Sequence, residues 1–379
     1  MRIGYITTYD AKDVRNWSGL GYYMAQHLQS DDTSLEYIQS SQRKISLLTK
    51  VKHKLYWNLY QADYLLDRDP AILKGYSKQI SSKLKAQPLD IVFSPGTIPI
   101  AYLECDQPIA FWTDATFGGM INFYPEFTNL CRESIRQGHL MEKSALNRCQ
   151  LAIYSSDWAA KTAIDLYEAE SSKVKVVPFG ANLDSKMDFS NIKSLINARK
   201  NKPCKLLFLG VNWQRKGGDV ALEVARQLNE SGLATELTIV GCEPPFRESM
   251  PEFVTVINFI SKSTQQGIDQ INGLLAESHF LILPSTADCT PVVFSEANSF
   301  GVPCLTTDVG GITTIIKNDI NGKTFQTNAN ISEYCTYITH LFSDYTQYKE
   351  LAISSFNEYQ TRLNWQVAGQ TVRSLLKDL

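Results

Sequence analysis

The chain has 379 residues, a formal net charge of −2 and 44% hydrophobic residues. This composition is typical of a soluble globular protein and excludes a disordered chain. A general nucleic-acid binder is usually basic, so the charge also argues against that class. At roughly 100–200 residues per domain, the length predicts two domains, or three.

No run of about 18 apolar residues occurs, so we expect no membrane-spanning helix. The first residues, Met1–Thr8, have the pattern of a strand rather than of a signal peptide. Eight cysteines are scattered without the spacing of a zinc site or a redox pair. We therefore expect reduced thiols in a cytoplasmic protein.

Short apolar runs alternate with longer amphipathic segments along the whole chain. The candidate strands of the first half are Arg2–Thr7, Asp90–Ser94, Pro108–Trp112, Leu151–Ser155 and Val174–Pro178. After a polar stretch from Asp184 to Pro203, the pattern restarts with Cys204–Gly210, Glu236–Gly241, Val254–Ile257, Phe280–Pro284 and Val302–Thr306. Segments with helical periodicity lie between them, such as Gly217–Leu228 and Ser332–Phe342. This alternation predicts an α/β chain with two doubly wound, Rossmann-like domains facing a central cleft.

Residues 43–64 combine bases with aromatic residues and contain no acid before Asp63. The bases are Arg43, Lys44, Lys50, Lys52 and Lys54, and the aromatic residues are Tyr56, Trp57, Tyr60 and Tyr64. On a helix, such a set can hold a protein on an anionic membrane surface. The same pattern also fits a solvated basic face whose aromatic residues pack inward. The segment is therefore a candidate for peripheral membrane contact.

The clearest chemical signal follows the apolar strand at 280–284. Thr290 is expected to cap the next helix, with Pro291 as its first residue. The N–H groups of Val292 and Val293 would then be available to an anion. Asp288 and Glu296 are eight residues apart, on either side of this helix start. The arrangement suits a ligand with hydroxyls on both sides of a diphosphate.

A second cationic signal follows the strand at 204–210. Arg215 and Lys216 are adjacent at a predicted helix start and would suit a pyrophosphate leaving group. They also fit solvent-exposed charges on a loop. Gly310 and Gly311 would let the backbone approach a ligand, or would form a tight turn.

Together these segments resemble the retaining, sugar-nucleotide-dependent glycosyltransferases of the GT-B fold that carry an E-x7-E motif, the group 1 or family 4 class. The segments that match the family's ordered motifs are Gly210–Gly217, Ile239–Gly241, Pro284–Ala297, Gly301–Pro303, Thr307–Gly311 and Asn321–Gly322. The first half matches more thinly, at Trp17–Gly21, Trp112–Asp114, Ser155–Trp158 and Val177–Asn182. The resemblance is dense from Leu206 to about Phe325.

The resemblance implies a hexosyltransferase that moves a sugar from a nucleoside-diphosphate sugar to an acceptor hydroxyl, with retention of configuration. UDP is the favoured nucleotide and GDP the next, and neither a metal nor a cofactor is expected. The implied catalytic residues are Asp114, Arg215, Lys216 and Asp288. The implied donor-binding residues are Gly19, Gly21, Gly210, Asn258, Phe259, Ile260, Cys289, Thr290, Pro291, Val292, Val293 and Glu296. Asp67 and Asp69 have the spacing of a metal-binding acid pair, but we expect them to be surface charges.

The resemblance also implies a domain plan. Residues 1–187 would form an acceptor domain and 188–360 a donor domain, while 361–379 would form a helix that crosses back to the first domain. The packed face of that helix would contain Trp365, Val367, Val372, Leu375 and Leu376.

Two departures from the family pattern are visible. Asp288 replaces the first glutamate of E-x7-E, and Val211 replaces an arginine that Arg215 could restore. Three alternatives therefore stay open: a nucleotide-sugar epimerase, a glycoside phosphorylase of the same fold, and a catalytically silent sugar-nucleotide-binding protein. The acceptor also stays open, as a saccharide, a lipid-linked molecule or a small aglycone. We expect a cytoplasmic location, or a peripheral one at the inner membrane face.

Overall fold

The computed structural model describes residues 1–39, 47–183, 187–245 and 250–379. The chain divides into two compact units, which we call unit 1 and unit 2. Unit 1 contains Met1–Pro178 and Ala368–Leu379, and unit 2 contains Phe179–Val367. All eight cysteines are free thiols, and five of them are buried.

Unit 1 is built on a six-stranded parallel sheet in the order β2-β1-β3-β4-β5-β6. Its strands are β1 (Arg2–Thr7), β2 (Ser34–Gln39), β3 (Ile91–Ser94), β4 (Ile109–Thr113), β5 (Leu151–Tyr154) and β6 (Val174–Val176). Its helices are α1 (Leu20–Leu28), α2 (Leu47–Tyr60), α3 (Pro70–Leu84), α4 (Phe117–Met120), α5 (Arg132–Arg148) and α6 (Asp157–Tyr167). Every residue of β3, β4 and β5 is buried, as expected for the centre of a parallel sheet covered on both faces.

The edge strand β2 was not among the predicted strands. Only Ile38 of its six residues is buried, so it lacks the apolar run that marks the central strands. The prediction for the acid pair at 67 and 69 was also wrong in part. Asp69 is only 5% exposed, since it caps α3 by accepting from the N–H of Ala71 and also accepts from the hydroxyl of Tyr64. It is a structural residue, and only Asp67 remains at the surface.

Unit 2 repeats the plan with a parallel sheet in the order β12-β11-β10-β7-β8-β9. Its strands are β7 (Cys204–Leu209), β8 (Thr235–Val240), β9 (Val254–Ile257), β10 (Phe280–Leu283), β11 (Cys304–Thr307) and β12 (Gly322–Phe325). Its helices are α7 (Phe189–Ala198), α8 (Trp213–Lys216), α9 (Gly218–Glu230), α10 (Gln265–Glu277), α11 (Val292–Asn298), α12 (Ile312–Ile315), α13 (Ile331–Ser343) and α14 (Tyr345–Arg362). Two inner strands of this sheet, β10 and β11, are fully buried.

A last helix, α15 (Trp365–Lys377), begins in unit 2 and belongs to unit 1 from Ala368 onward. Its buried residues are Trp365, Ala368, Gly369, Val372 and Leu376, whereas the predicted Val367 and Leu375 are half-buried. The ammonium of Lys377 pairs with Asp32 at 2.5 Å. The C-terminal segment is therefore part of the first unit's core.

The unit boundaries lie nine residues before and seven residues after the predicted ones, at 178/179 and 367/368 rather than 187/188 and 360/361. The physical reason is Trp365. Its ring stacks on Phe179 with centroids 5.7 Å apart, and its indole N–H donates to Asn182 at 2.8 Å. Because of these contacts, residues 179–187 and 361–367 belong to unit 2.

Helix α2 exposes most of its side chains. Val51, Leu55 and Leu59 recur at four-residue intervals along one side and are 55%, 49% and 65% exposed. Trp57 and Tyr60 are also exposed, whereas Tyr64, just after the helix, is buried. The predicted bases Arg43 and Lys44 lie outside the described residues.

Packing of α15 on unit 1 can be tested at Gly369. A Cβ at this position would lie 2.3 Å from the carbonyl oxygen of His27, which is a backbone atom that cannot move aside alone. We expect Gly369→Ala to lower the free energy of unfolding by about 1–3 kcal/mol, as overpacked sites do. Chemical denaturation measures the change.

The matched control is Gly75→Ala in α3 of the same unit, where a Cβ meets nothing within 4 Å. Because alanine is the better helix former, this variant should gain about 0.5–1 kcal/mol. Equal stability of the two variants would contradict the packing of α15 on unit 1.

Candidate active site

The loop after β7 is held against the end of β10. Asn212 caps α8 by accepting from the N–H of Arg215 at 2.9 Å. Gly217 ends that helix with a φ of 77°, and a Cβ there would lie 2.1 Å from the carbonyl oxygen of Pro284. Only glycine permits both the left-handed backbone and this approach. The predicted donor-binding Gly210 lies against the side chain of Lys216, whose Cγ would be 3.0 Å from a Cβ at position 210.

Arg215 and Lys216 form one ion cluster with Asp288, which comes from a different motif. The ammonium of Lys216 donates to both oxygens of Asp288, at 2.8 and 3.0 Å. A guanidinium N–H₂ of Arg215 donates to Oδ1 of Asp288 at 3.1 Å and to the carbonyl of Ala287 at 2.8 Å. The Lys216 and Asp288 side chains are only 10% and 8% exposed. The cluster holds two cations and one carboxylate, so it keeps a net positive charge.

The start of α11 differs from the prediction. Pro291 is the N-cap and the helix begins at Val292, while the hydroxyl of Thr290 donates to the carbonyl of Cys289 instead of capping. The N–H groups of Val292 and Val293 still belong to the first helical turn, where no earlier helical carbonyl accepts them. Since α11 has only seven residues, most of the attraction for an anion must come from the cationic side chains nearby.

Glu296 lies one turn into α11 and is 1% exposed. Its Oε1 accepts from the ammonium of Lys262, and its Oε2 is buried without a hydrogen-bond partner among the described residues. Lys262 was not predicted as a site residue. The only sequence signal for it is its position two residues after the predicted base-binding segment.

That segment, Asn258 to Ile260, follows β9 in a loop. Phe259 is 68% exposed, an unusual environment for a phenylalanine. The Lys262–Glu296 pair brings this loop next to α11. The structure thus collects the predicted donor-binding residues of unit 2 at the carboxyl edge of its sheet.

The remaining predicted residues, Gly19, Gly21 and Asp114, lie in unit 1. Gly19 follows Trp17 and Ser18, and all three have a positive φ, of 85°, 46° and 53°. Left-handed backbone at two non-glycine residues costs energy and is common at functional sites. The strained backbone is therefore consistent with the prediction that this loop contacts a ligand.

Gly21 and Asp114 come together around Tyr9, which sequence reasoning missed. A Cβ on Gly21 would lie 2.4 Å from the Tyr9 hydroxyl oxygen, and the hydroxyl of Tyr5 donates to the Gly21 carbonyl. Burial, and then the charge of Asp114, raise the pKa of Tyr9 far above its usual value. A side chain at position 21 would therefore displace the ring of Tyr9.

Some matched motif residues have structural roles. The side chain of Asn321 donates to Asn298 at 2.7 Å and to the carbonyl of Ile315 at 2.9 Å. These bonds fix the turn before β12 inside the core. Across the described ranges, no three His, Cys, Asp or Glu side chains gather as a metal site requires. Metal independence stays a prediction.

Residues 203–344 match the model of the family described as glycosyl transferases group 1. Over this segment the chain is similar to the group 1 glycosyltransferases. The matched segment contains the ion cluster, Lys262 and Glu296, so the predicted resemblance is confirmed on the part of the chain that carries the motif acids.

Several characterised proteins are similar to this chain. The lipopolysaccharide glucosyltransferase WaaG of Escherichia coli K12 is 29% identical over 62% of this chain and 63% of its own length. The sulfoquinovosyl transferase SQD2 of Arabidopsis thaliana is 26% identical over 49% of this chain and 36% of its own. An E. coli UDP-Gal:α-D-GlcNAc-diphosphoundecaprenol α-1,3-galactosyltransferase is 24% identical, over 43% and 44%. The alignments thus span less than two thirds of each of these relatives.

Solved structures match over nearly the full chain. Sucrose-phosphate synthase from Thermosynechococcus elongatus has a TM-score of 0.70 at 13% identity, covering 100% of this chain and 98% of its own. The Anabaena protein HepE, in complex with UDP and glucose, has a TM-score of 0.65 at 14% identity and covers 100% of both chains. At such identity the match concerns the fold alone, and it confirms the predicted α/β fold of the GT-B type.

Stability should depend strongly on Asp288. Because Asp288→Ala leaves the buried Lys216 without its counter-ion, we expect the free energy of unfolding to fall by about 3–5 kcal/mol. Chemical denaturation of the full chain measures it.

The control is Glu277→Ala, whose carboxylate is 71% exposed and pairs with Lys205 in the same unit. Surface pairs contribute about 0–1 kcal/mol. If both variants lose the same amount, the ion cluster does not stabilise unit 2 as described.

Proposed function

We propose that this protein transfers a hexose from a nucleoside-diphosphate sugar to an acceptor hydroxyl, with UDP as the favoured nucleotide and GDP as the next. The observation that carries the proposal is the pairing of the two motif acids with cations at one sheet edge. Asp288 pairs with Arg215 and Lys216, and Glu296 pairs with Lys262. The match of residues 203–344 to the model of the group 1 glycosyl transferases supports it.

Glycosyl transfer breaks the bond between the anomeric carbon and the phosphate oxygen through an oxocarbenium-like transition state. Negative charge then develops on the departing diphosphate, and fixed donors at that point accelerate the reaction. Arg215 and Lys216 are the proposed donors, with the N–H groups of Val292 and Val293 beside them. The excess positive charge of the ion cluster suits this role.

The proposed stereochemical outcome is retention. The acceptor oxygen would bond to the anomeric carbon on the face that the diphosphate leaves, and its proton would pass to the leaving phosphate oxygen. This route needs no dedicated base and no metal. Asp114 is proposed to line the acceptor side, and Asp288 to contact the donor sugar once the diphosphate competes for its cations.

UDP as the nucleotide is supported by two similar proteins. HepE was solved in complex with UDP and glucose, and the E. coli galactosyltransferase uses UDP-Gal. In this chain Glu296 would accept hydrogen bonds from ribose, and the exposed ring of Phe259 would stack on the base.

We further propose a lipid-linked acceptor and peripheral contact with an anionic membrane at its inner face. The similar E. coli proteins act on lipopolysaccharide and on a diphosphoundecaprenol-linked sugar. None of the described helices is both long enough and apolar enough to cross a bilayer. Contact would instead be made by α2.

The surface of α2 has the chemistry of an interfacial helix. Its exposed stripe of Val51, Leu55 and Leu59 is flanked by the exposed bases Lys50 and Lys54. The stripe lies along one side of this 14-residue helix, and the exposed Trp57 and Tyr60 lie on its other side. Lysines would attract anionic headgroups while the apolar stripe enters the interface.

Donor binding is tested by titrating the wild-type protein with UDP and GDP in a calorimeter, with EDTA present because the proposed route requires no metal. Glu296→Ala should weaken binding by about 1–3 kcal/mol, the usual loss for a hydrogen bond to a charged group. Glu277→Ala, far more exposed, should leave the affinity unchanged.

Absence of binding by every nucleoside diphosphate would overturn the proposal. Incubation with the preferred sugar nucleotide and no acceptor separates the remaining classes, since an epimerase would convert the sugar itself.

Membrane contact is tested by co-sedimentation with vesicles of phosphatidylcholine alone or mixed with phosphatidylglycerol. We expect binding only to the anionic vesicles. Lys50→Gln with Lys54→Gln should weaken it by about 2 kcal/mol, roughly 30-fold, at about 1 kcal/mol per lysine. Trp57→Ser should weaken binding even at high salt.

The matched control is Phe189→Ser with Lys193→Gln on α7, which removes an exposed aromatic residue and an exposed base four residues apart. If this pair reduces vesicle binding as much as the α2 changes do, then α2 is not the contact surface.

A further inference from the structure

A buried polar cluster lies at the carboxyl edge of the unit 1 sheet, and none of its members was predicted as a site residue. Its centre is Glu142 on α5, which is 1% exposed. The hydroxyl of Thr97, in the loop after β3, donates to Oε2 of Glu142 at 3.0 Å. Arg68 precedes α3 and Tyr154 ends β5, and both are buried close enough to interact with Glu142 electrostatically. Four separate segments of unit 1 thus meet at one carboxyl group.

Three polar atoms of this cluster lack a hydrogen-bond partner among the described residues. They are Oε1 of Glu142, Nε of Arg68 and the hydroxyl oxygen of Tyr154, and all three are buried. Buried polar atoms are nearly always paired, so three unpaired atoms around one acid call for an explanation. A carboxyl group donates when protonated and accepts when ionised, and a tyrosine hydroxyl does either. The cluster can therefore be satisfied in both charge states of Glu142, with donor and acceptor exchanged.

The charges around Glu142 leave both of its forms accessible. Burial raises the pKa of Glu142 to about 7. The hydroxyl of Thr97, the charge of Arg68 and the N–H of Phe117 oppose this rise. The guanidinium of Arg68 is shared, because it also pairs with Asp67 at 2.8 Å. Its charge therefore compensates Glu142 only in part, and the protonated form stays within reach.

The other titratable groups that face Glu142 keep their charge state near neutral pH. Burial raises the pKa values of Tyr154, Tyr167 and Cys149, so all three stay protonated. His139 lies nearly one turn before Glu142 on α5, and its Nδ1 bonds the hydroxyl of Tyr167 at 2.9 Å. Burial lowers the pKa of His139, so it is neutral above its usual range. Within this set, Glu142 is the group that changes charge around pH 7.

The cluster also holds the loop after β4, which carries Asp114. The N–H of Phe117 faces the carboxyl group of Glu142 and favours its ionised form. The next N–H along the chain, that of Gly118, donates to the hydroxyl of Tyr167 at 2.9 Å. Asp114 lies three residues before Phe117. The charge of Glu142 therefore acts on the backbone that places Asp114.

We infer that Glu142 is a positioning residue whose bound proton controls how firmly the loop after β4 is held. When ionised, Glu142 accepts from Thr97 and attracts the N–H of Phe117, which fixes the loop. When protonated, its O–H donates to the hydroxyl of Tyr154, and the hold on Phe117 weakens. The proton is exchanged with solvent, so no bond between heavier atoms changes. The inference rests on the proposed function only in the role given to Asp114.

Protonation of Glu142 is tested by denaturing the full chain between pH 5 and pH 8. The folded state holds a proton that the unfolded state releases, so the wild-type protein should lose stability as the pH rises. Its unfolding equilibrium constant should increase about 50-fold more than that of Glu142→Gln. Infrared spectra of the wild-type protein give a second measurement, because a protonated carboxyl band should be present at pH 6 and absent at pH 8.

Two variants on the same helix serve as controls. At Glu133, burial is outweighed by hydrogen bonds from Lys52 and Tyr56, which lower its pKa. Glu133→Gln should therefore keep the wild-type slope of stability against pH. His139→Gln should make the fall steeper, because a histidine with a lowered pKa adds stability as the pH rises.

Control of the loop is tested by hydrogen exchange at pH 6 and pH 8, corrected for the intrinsic exchange rate. The amide of Phe117 should be about tenfold better protected at pH 8 in the wild-type protein, as a hydrogen bond to a charged group predicts. In Glu142→Gln its protection should not depend on pH. The amide of Ala71, which donates to Asp69 at 2.8 Å, should be equally protected at both pH values.

The contrary outcomes are distinct. A wild-type protein without the protonated carboxyl band at pH 6, or with the same slope as Glu142→Gln, overturns the protonation of Glu142. A Phe117 amide whose protection is the same at both pH values overturns its positioning role. All these measurements use the free protein, so a failure to bind any nucleoside diphosphate would overturn the proposed function alone.

Discussion

Asp288 connects two loops that are far apart in the sequence. It accepts from Lys216 and Arg215, which follow β7, and it lies itself in the loop after β10. Neighbouring contacts reinforce the connection, because the N–H of Thr286 donates to the carbonyl of Arg215 and that of Gly311 donates to the carbonyl of Asp288. The loops after β7, β10 and β11 are thereby held in one arrangement. The geometry of the candidate donor site depends on this carboxylate.

The electrostatics of the site follow from how its two motif acids are paired. Each acid has a cation of its own, so neither is left as a buried charge without a counter-ion. A bound diphosphate would therefore compete with Asp288 for Lys216 and Arg215 rather than meet free cations. Aspartate has one side-chain torsion fewer than glutamate, so fixing Asp288 between the two cations costs less conformational entropy.

In unit 1, the candidate residues are explained by backbone conformation and packing rather than by ion pairs. Gly19 belongs to a strained turn with Trp17 and Ser18, whereas Gly21 is explained by the close approach of the Tyr9 ring. The two glycines look alike in the sequence, but a different physical constraint explains the glycine at each position. Burial, and then the charge of Asp114, raise the pKa of Tyr9, so that tyrosine stays protonated.

The sequence by itself determined the two parallel sheets, because central strands such as β4 and β10 are buried on both faces and appear as unbroken apolar runs. It also determined the resemblance to the group 1 glycosyltransferases over residues 203–344 and the motif acids, whose spacing is local. The tertiary structure decided the rest. It revealed strand β2. Because this strand lies at the sheet edge and most of its residues are partly exposed, its sequence has little apolar pattern. It placed Lys262 on Glu296, 34 residues away along the chain, and Arg215 on Asp288, 73 residues away. Such pairs cannot be read from local spacing, because folding alone sets which loops meet at the carboxyl edge of a sheet.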